Sequence, residues 1–136
     1  MAQLITWSPK LSVGVDSIDS QHQALVGIVN RLNDAMCAGK SADVMGRLLD
    51  ELITYTAGHF AHEESIMRKH AYPGFAAHKK QHDELVHTAL DLQTKFKAGQ
   101  TRIGIEVMRF LRTWLSEHIQ GTDRELGAFC NERMVA

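Results

Sequence analysis

FAAHKKQHDELVHTALDLQTKF, residues 75–96, is the stretch from which the architecture can be read. Phe75, His78, His82, Leu85, Ala89, Leu92 and Phe96 recur at intervals of three and four, tracing one face of an α-helix. Two of these seven are histidines. An imidazole at a core position is costly unless something pairs with it, and a metal ion is the strongest available partner.

The same period continues on both sides. Toward the N-terminus, His70-Ala71-Tyr72-Pro73-Gly74 breaks the helix, because proline removes a donor and restricts its predecessor. Before it, Met45, Leu48, Leu52, Tyr55, His59 and Ile66 mark another helix, with Ser41 as its N-cap. Gly39 ends an earlier helix carrying Ile18, His22, Leu25, Val29, Leu32 and Met36. Residues 1–17 show no helical period and read as an extended arm, with Trp7 and Val13 packed on the body. Toward the C-terminus, Lys97-Ala98-Gly99-Gln100 closes the central helix. A fourth helix follows with Ile103, Val107, Leu111, Trp114 and His118, and a short helical tail runs from about Asp123 to Met134. Short connections make consecutive helices antiparallel, so the expected fold is an all-α, up-down-up-down four-helix bundle. Residues 1–136 read as one domain.

Bulk properties narrow the function. The formal net charge is −1 and the pI about 6.7, which argues against a nucleic-acid or anionic-membrane partner. No apolar run approaches the roughly 20 residues that span a bilayer. MAQLITWSPK has no export pattern, so Cys37 and Cys130 read as reduced thiols and the expected compartment is the cytoplasm. Histidine, with eight copies, is the outlying residue.

Five of the eight lie on the apolar stripes. In an antiparallel bundle, the start of helix one (His22), the end of helix two (His59, Glu63), the start of helix three (His78, His82) and the end of helix four (His118, Asp123) all meet at one pole. Pairs four residues apart are offset by only about 40° and about 6 Å, so both members reach one site. His118 and Asp123 are five apart, about 140° around a regular helix. A π-type bulge or a break near Gly121 is therefore expected to bring Asp123 inward. If both carboxylates bridge and one water-derived oxygen joins them, these donors fill all but one position on a pair of octahedral ions. Mixed imidazole and carboxylate ligands in that geometry favour iron or manganese over four-coordinate zinc.

The segments Ile18-Asp-Ser-Gln-His22, His59-Phe-Ala-His-Glu63, His78-Lys-Lys-Gln-His82 and His118-Ile-Gln-Gly-Thr-Asp123 together resemble the hemerythrin family, across nearly the whole chain. The resemblance implies a non-haem di-iron centre that binds O₂ reversibly and is not an enzyme. His78, His82 and His118 would hold one iron. His22 and His59 would hold the other, which keeps the open position. Glu63, Asp123 and an oxo or hydroxo group would bridge the two. Phe60, Trp114, Leu115 and Ile119 match apolar residues lining the O₂ pocket in related proteins, and small anions such as azide would compete there. Such domains occur alone, as carriers or stores, and fused to signalling proteins, including the C-terminal end of methyl-accepting chemotaxis receptors.

The remaining histidines have ordinary readings: His62 flanks a helix, His70 sits in the turn, and His87 lies on a polar face. The rival function is a di-iron enzyme, a peroxidase or nitric-oxide-handling protein using the same ligands. A structural zinc site is the third reading.

Overall fold

The computed structural model describes residues 3–133; the outermost limits of the arm and of the tail, Met134 included, lie outside the described residues. Four helices form the bundle: α1 (Asp16–Cys37), α2 (Ala42–Lys69), α3 (Phe75–Lys97) and α4 (Ile105–Glu117). A π-helical segment, His118–Asp123, joins α4 without a break to α5 (Arg124–Glu132). Among the described residues there is no strand. The up-down-up-down bundle expected from the periodicity is what the chain forms.

Helix ends follow local chemistry. Ser41 Oγ accepts the Val44 N–H at 3.3 Å and caps α2. Gly39 and Gly99, at φ 66° and 73°, end α1 and α3 in left-handed conformation. In each case the following residue's N–H reaches back five positions, Lys40 to the Ala35 carbonyl and Gln100 to that of Lys95, which satisfies carbonyls the helix leaves open. Ala71 does the same job after α2 at φ 52°, where a Cβ makes the conformation less favourable.

Some boundaries differ from the sequence reading. The arm ends at Val15 rather than at residue 17, because Asp16 and Ser17 already belong to α1. Asp16 and Asp19 suit the positive end of that helix, which starts before its first buried residue, Ile18. Nor is the arm wholly extended: Pro9–Leu11 form a 3₁₀ turn. Ile103 is buried but precedes α4. On α2 the buried face is turned from the expected one, with Leu49, Thr56 and Met67 inside and Leu48, Tyr55 and Ile66 half-buried.

The arm is tied to the body at several points. Asn30, buried on α1, accepts the Ile5 N–H at 2.9 Å and donates to the Ile5 carbonyl at 2.8 Å, so a polar core residue is fully used. Asp19 accepts from Ser12 Oγ at 2.6 Å and from the Val13 N–H at 2.8 Å. Gly127 on α5 lies against the Val13 backbone so closely that a Cβ there would fall 2.9 Å from the Val13 carbonyl carbon. The arm thereby braces α1, which carries His22, and α5, which directly follows Asp123.

Candidate metal centre

Each donor segment reaches one pole for a local reason. His22 sits in the second turn of α1, on the stripe that also carries Ile18, Leu25 and Val29. His59 and Glu63 occupy the later turns of α2, and His78 and His82 the first turns of α3. The π segment brings His118 and Asp123 to the same side: the Arg124 N–H reaches the Ile119 carbonyl, five residues back, and one residue is absorbed without turning the helix away. All seven side chains are buried, with Glu63, Asp123 and His22 at 0% exposure.

The five imidazoles all direct Nε2 inward, and each carboxylate divides its two oxygens between two groups of them. Glu63 Oε1 lies 3.3 Å from His78 and 3.1 Å from His82, while its Oε2 lies 3.4 Å from His22 and 3.0 Å from His59. Asp123 Oδ1 lies 2.9 Å from His78 and 3.0 Å from His118, and its Oδ2 lies 2.9 Å from His22. Two overlapping donor clusters result, His78, His82 and His118 in one, His22 and His59 in the other, with both carboxylates shared.

The charge balance at this pole calls for a cation. Burial alone would raise the Glu63 carboxyl, yet its contacts with His22, His59, His78 and His82 hold it well below the usual range. Asp123 is likewise held low against burial and the Glu63 charge, by His118, His22 and His78. Burial opposes charge on His22 and His78, but Asp123 and Glu63 outweigh it and push both up to about 9. His118 moves down, chiefly through burial. All four carboxylate oxygens and the Nε2 atoms of His22 and His78 are buried without a hydrogen-bond partner. Buried polar atoms facing one another unpaired are costly, and a pair of divalent or trivalent cations among them removes the cost. The donor set fits iron, having nitrogen and oxygen donors and no sulfur.

The outward nitrogens reveal residues that the spacing argument did not find. His59 Nδ1 lies 2.7 Å from Gln21 Oε1, His82 Nδ1 3.0 Å from Glu64 Oε2, and His118 Nδ1 2.7 Å from Gln81 Oε1. Thr122 Oγ1 also donates to Gln81 Oε1, at 2.9 Å. Each acceptor sits on the helix preceding that of its imidazole. Gln21, Glu64 and Gln81 adjoin His22, Glu63 and His82 in sequence, and a polar residue beside a ligand, about 100° off the core face, points into the seam between helices. That adjacency was the available signal. Such acceptors fix the tautomer and orientation of a ligating imidazole.

The aromatic residues expected around the O₂ site pack on the three-histidine side. Phe60 stacks on His82 with centroids 3.7 Å apart, and Trp114 stacks on His118 at 4.4 Å. Phe60 also stands 5.9 Å from His59, which places it along both groups. Leu115 and Ile119 are buried, and Trp114 is half-buried. Of the other histidines, His62 lies 3.3 Å from Ser17 Oγ, His70 caps α2, and His87 is exposed.

The Hemerythrin HHE cation binding domain matches residues 13–130. Over 125 residues the chain is 40% identical to a bacteriohemerythrin of Methylococcus capsulatus, covering 91% of this chain and 95% of that protein. A Stenotrophomonas maltophilia bacteriohemerythrin is 36% identical, covering 89% and 78%, and a Riftia pachyptila myohemerythrin is 33% identical, covering 86% of each. A wild-type hemerythrin crystal structure superposes with a TM-score of 0.88 at 40% identity, covering 92% of this chain and 96% of that one.

Proposed function

The chain belongs to the hemerythrin family, and on that premise we propose that it binds O₂ reversibly at a di-iron centre held by the seven converging side chains. His78, His82 and His118 would hold one iron and His22 and His59 the other, with the Glu63 and Asp123 carboxylates within reach of both. The observation carrying this reading is the division of each carboxylate's oxygens between a group of three imidazoles and a group of two. The second group is one donor short, and that is where an exogenous ligand has room. When bound, the iron pair supplies the electrons that hold O₂.

The chain's own residues do the rest. Gln21, Glu64 and Gln81 keep three imidazoles with Nε2 aimed inward. Phe60, Trp114, Leu115 and Ile119 are proposed to line the pocket, excluding water and offering no side-chain acid to protonate the ligand. A pocket without a proton donor suits a binding protein rather than an enzyme. Azide competes for the same position in this reading. Residues 1–136 act as one domain, used for carriage and storage or, joined to a signalling receptor, for sensing. No helix among the described residues is long and apolar enough to cross a membrane, and we assign the domain to the cytoplasm.

Metal analysis with an anaerobic O₂ titration tests this. Two irons per chain and an optical band that appears with O₂ and fades on its removal are expected. Zinc in place of iron, or irreversible oxidation with turnover of peroxide, would overturn it.

A further inference from the structure

We propose that Thr122 is a positioning residue for the metal centre: its hydroxyl, sharing the Gln81 amide oxygen with His118, clips the π segment to α3 and holds Asp123 in register. This rests on the metal reading in taking Asp123 as a ligand. Gln81 Oε1 stands 2.7 Å from His118 Nδ1 and 2.9 Å from Thr122 Oγ1. An amide oxygen has two lone pairs, so one atom on α3 serves both donors. His118 opens the π segment, and Thr122 lies four residues on, directly before Asp123.

Three observations set this contact apart from an incidental one. Helical threonines commonly turn their hydroxyls to the carbonyl four residues back. Thr88 and Thr94 do so, donating to the Glu84 and Leu90 carbonyls at 3.0 Å, whereas Thr122 reaches across to another helix. A π segment is a rare departure from the α ladder, and the outer side of this one gives it no packing. Gln120 and Gly121 are exposed, with no atom within 4 Å of where a Gly121 Cβ would be. The neighbouring helices add little: α1 packs closely on α2 and α2 on α3, whereas α3 and α4 meet only loosely. The Gln81 oxygen spans that seam at the bulge itself. The Thr122–Gln81 bond also uses no metal-facing atom, so it acts with or without ions in the cage.

Amide hydrogen exchange of the full chain, with and without iron, tests this on Thr122→Val, which keeps the branched shape and removes the hydroxyl. Without iron, the π-segment amides should exchange roughly 3–10-fold faster than in the unaltered chain, the weight of one net hydrogen bond, while α1 and α2 stay unchanged. With iron bound the difference should vanish, because ligation then holds Asp123. Thr122→Ser restores the hydroxyl and should recover the protection. Gln81→Leu removes the shared oxygen and should lose it, which provides the same test should the valine variant fail to fold. Equal protection in Thr122→Val and the unaltered chain without iron would overturn the role. So would a loss spread evenly over all the helices, which marks general destabilisation, or one that persists after iron loading. The metal-free measurement needs neither iron nor O₂, so its outcome is independent of the oxygen reading.

Discussion

Deleting Gly121 should leave the metal centre intact, although the residue lies between two proposed ligands. Five residues separate His118 from Asp123, which in a regular α-helix would place them about 140° apart. The π segment removes that divergence by absorbing one residue. Without Gly121, Asp123 would stand four positions beyond His118, about 40° away in an unbroken α-helix, and α5 would slip along its axis by no more than about 1.5 Å. Gly121 is exposed, and no atom lies within 4 Å of where its Cβ would be, so the deletion removes no packing. Losing a helical glycine gains about 1 kcal/mol, and the slip of α5 against the arm costs a similar amount. The net change should stay within about 1 kcal/mol, or roughly 2–8 °C in thermal midpoint. Deleting Thr113, an exposed residue of regular α4, is the control. It rotates His118, Asp123 and α5 by about 100° and should eliminate iron binding. The assay is iron per chain after anaerobic reconstitution, alongside the thermal midpoint. If the Gly121 deletion loses iron as completely as the Thr113 deletion, the bulge is not a register device and the reasoning fails.

Other perturbations follow from the contacts. Glu64→Gln keeps a hydrogen-bond acceptor for His82 but removes its charge, while Gln81→Leu leaves His118 Nδ1 without an acceptor; iron affinity should fall about 10–100-fold in the leucine variant and less in the glutamine one, by competition with a chelator. Gly127→Ala forces apart α5 and the Val13 backbone and should destabilise the chain by about 1–3 kcal/mol in urea, whereas Gly58→Ala, with nothing near its Cβ position, should not destabilise it. In the metal-free chain the His22 and His78 imidazoles are raised from 6.5 to about 9. Their contribution to stability is complete below the unfolded value of 6.5 and is lost as pH rises through about 9, so the urea midpoint should drop across that window. Iron should abolish the drop, because it displaces those protons, and a flat profile without metal would contradict the charge balance described.

Most of the site was legible because a donor on an apolar stripe is conspicuous, and because helix starts and ends in an antiparallel bundle must alternate between poles. Even the irregular helix between His118 and Asp123 could be read from spacing alone. Residues whose work lies across a seam were harder. Gln21, Glu64 and Gln81 look like surface polar residues until the neighbouring helix is placed, and Asn30 looks like a misfit in a core stripe until Ile5 is brought beside it. The α2 stripe was misjudged because leucines and isoleucines occur at adjacent positions, Leu48 with Leu49 and Leu52 with Ile53, so periodicity alone fixes the face only to within one residue. The start of α1 lies two residues before the expected one because the hydrophobic period begins with burial at Ile18, whereas the helix begins at Asp16. The loose α3–α4 seam depends on how whole helices seat together, which no local pattern encodes.

The order in which the acceptors occur bears on biosynthesis. Gln21 is made before His59, Glu64 before His82, and Gln81 before His118, so a chain emerging from the ribosome always possesses the group that will steady an imidazole before the imidazole itself appears. Asp123, the second proposed bridging carboxylate, arrives after every other donor. A polypeptide interrupted anywhere upstream of Asp123 holds an incomplete cage, so capture of a metal pair would mark a chain synthesised through α4 and the π segment.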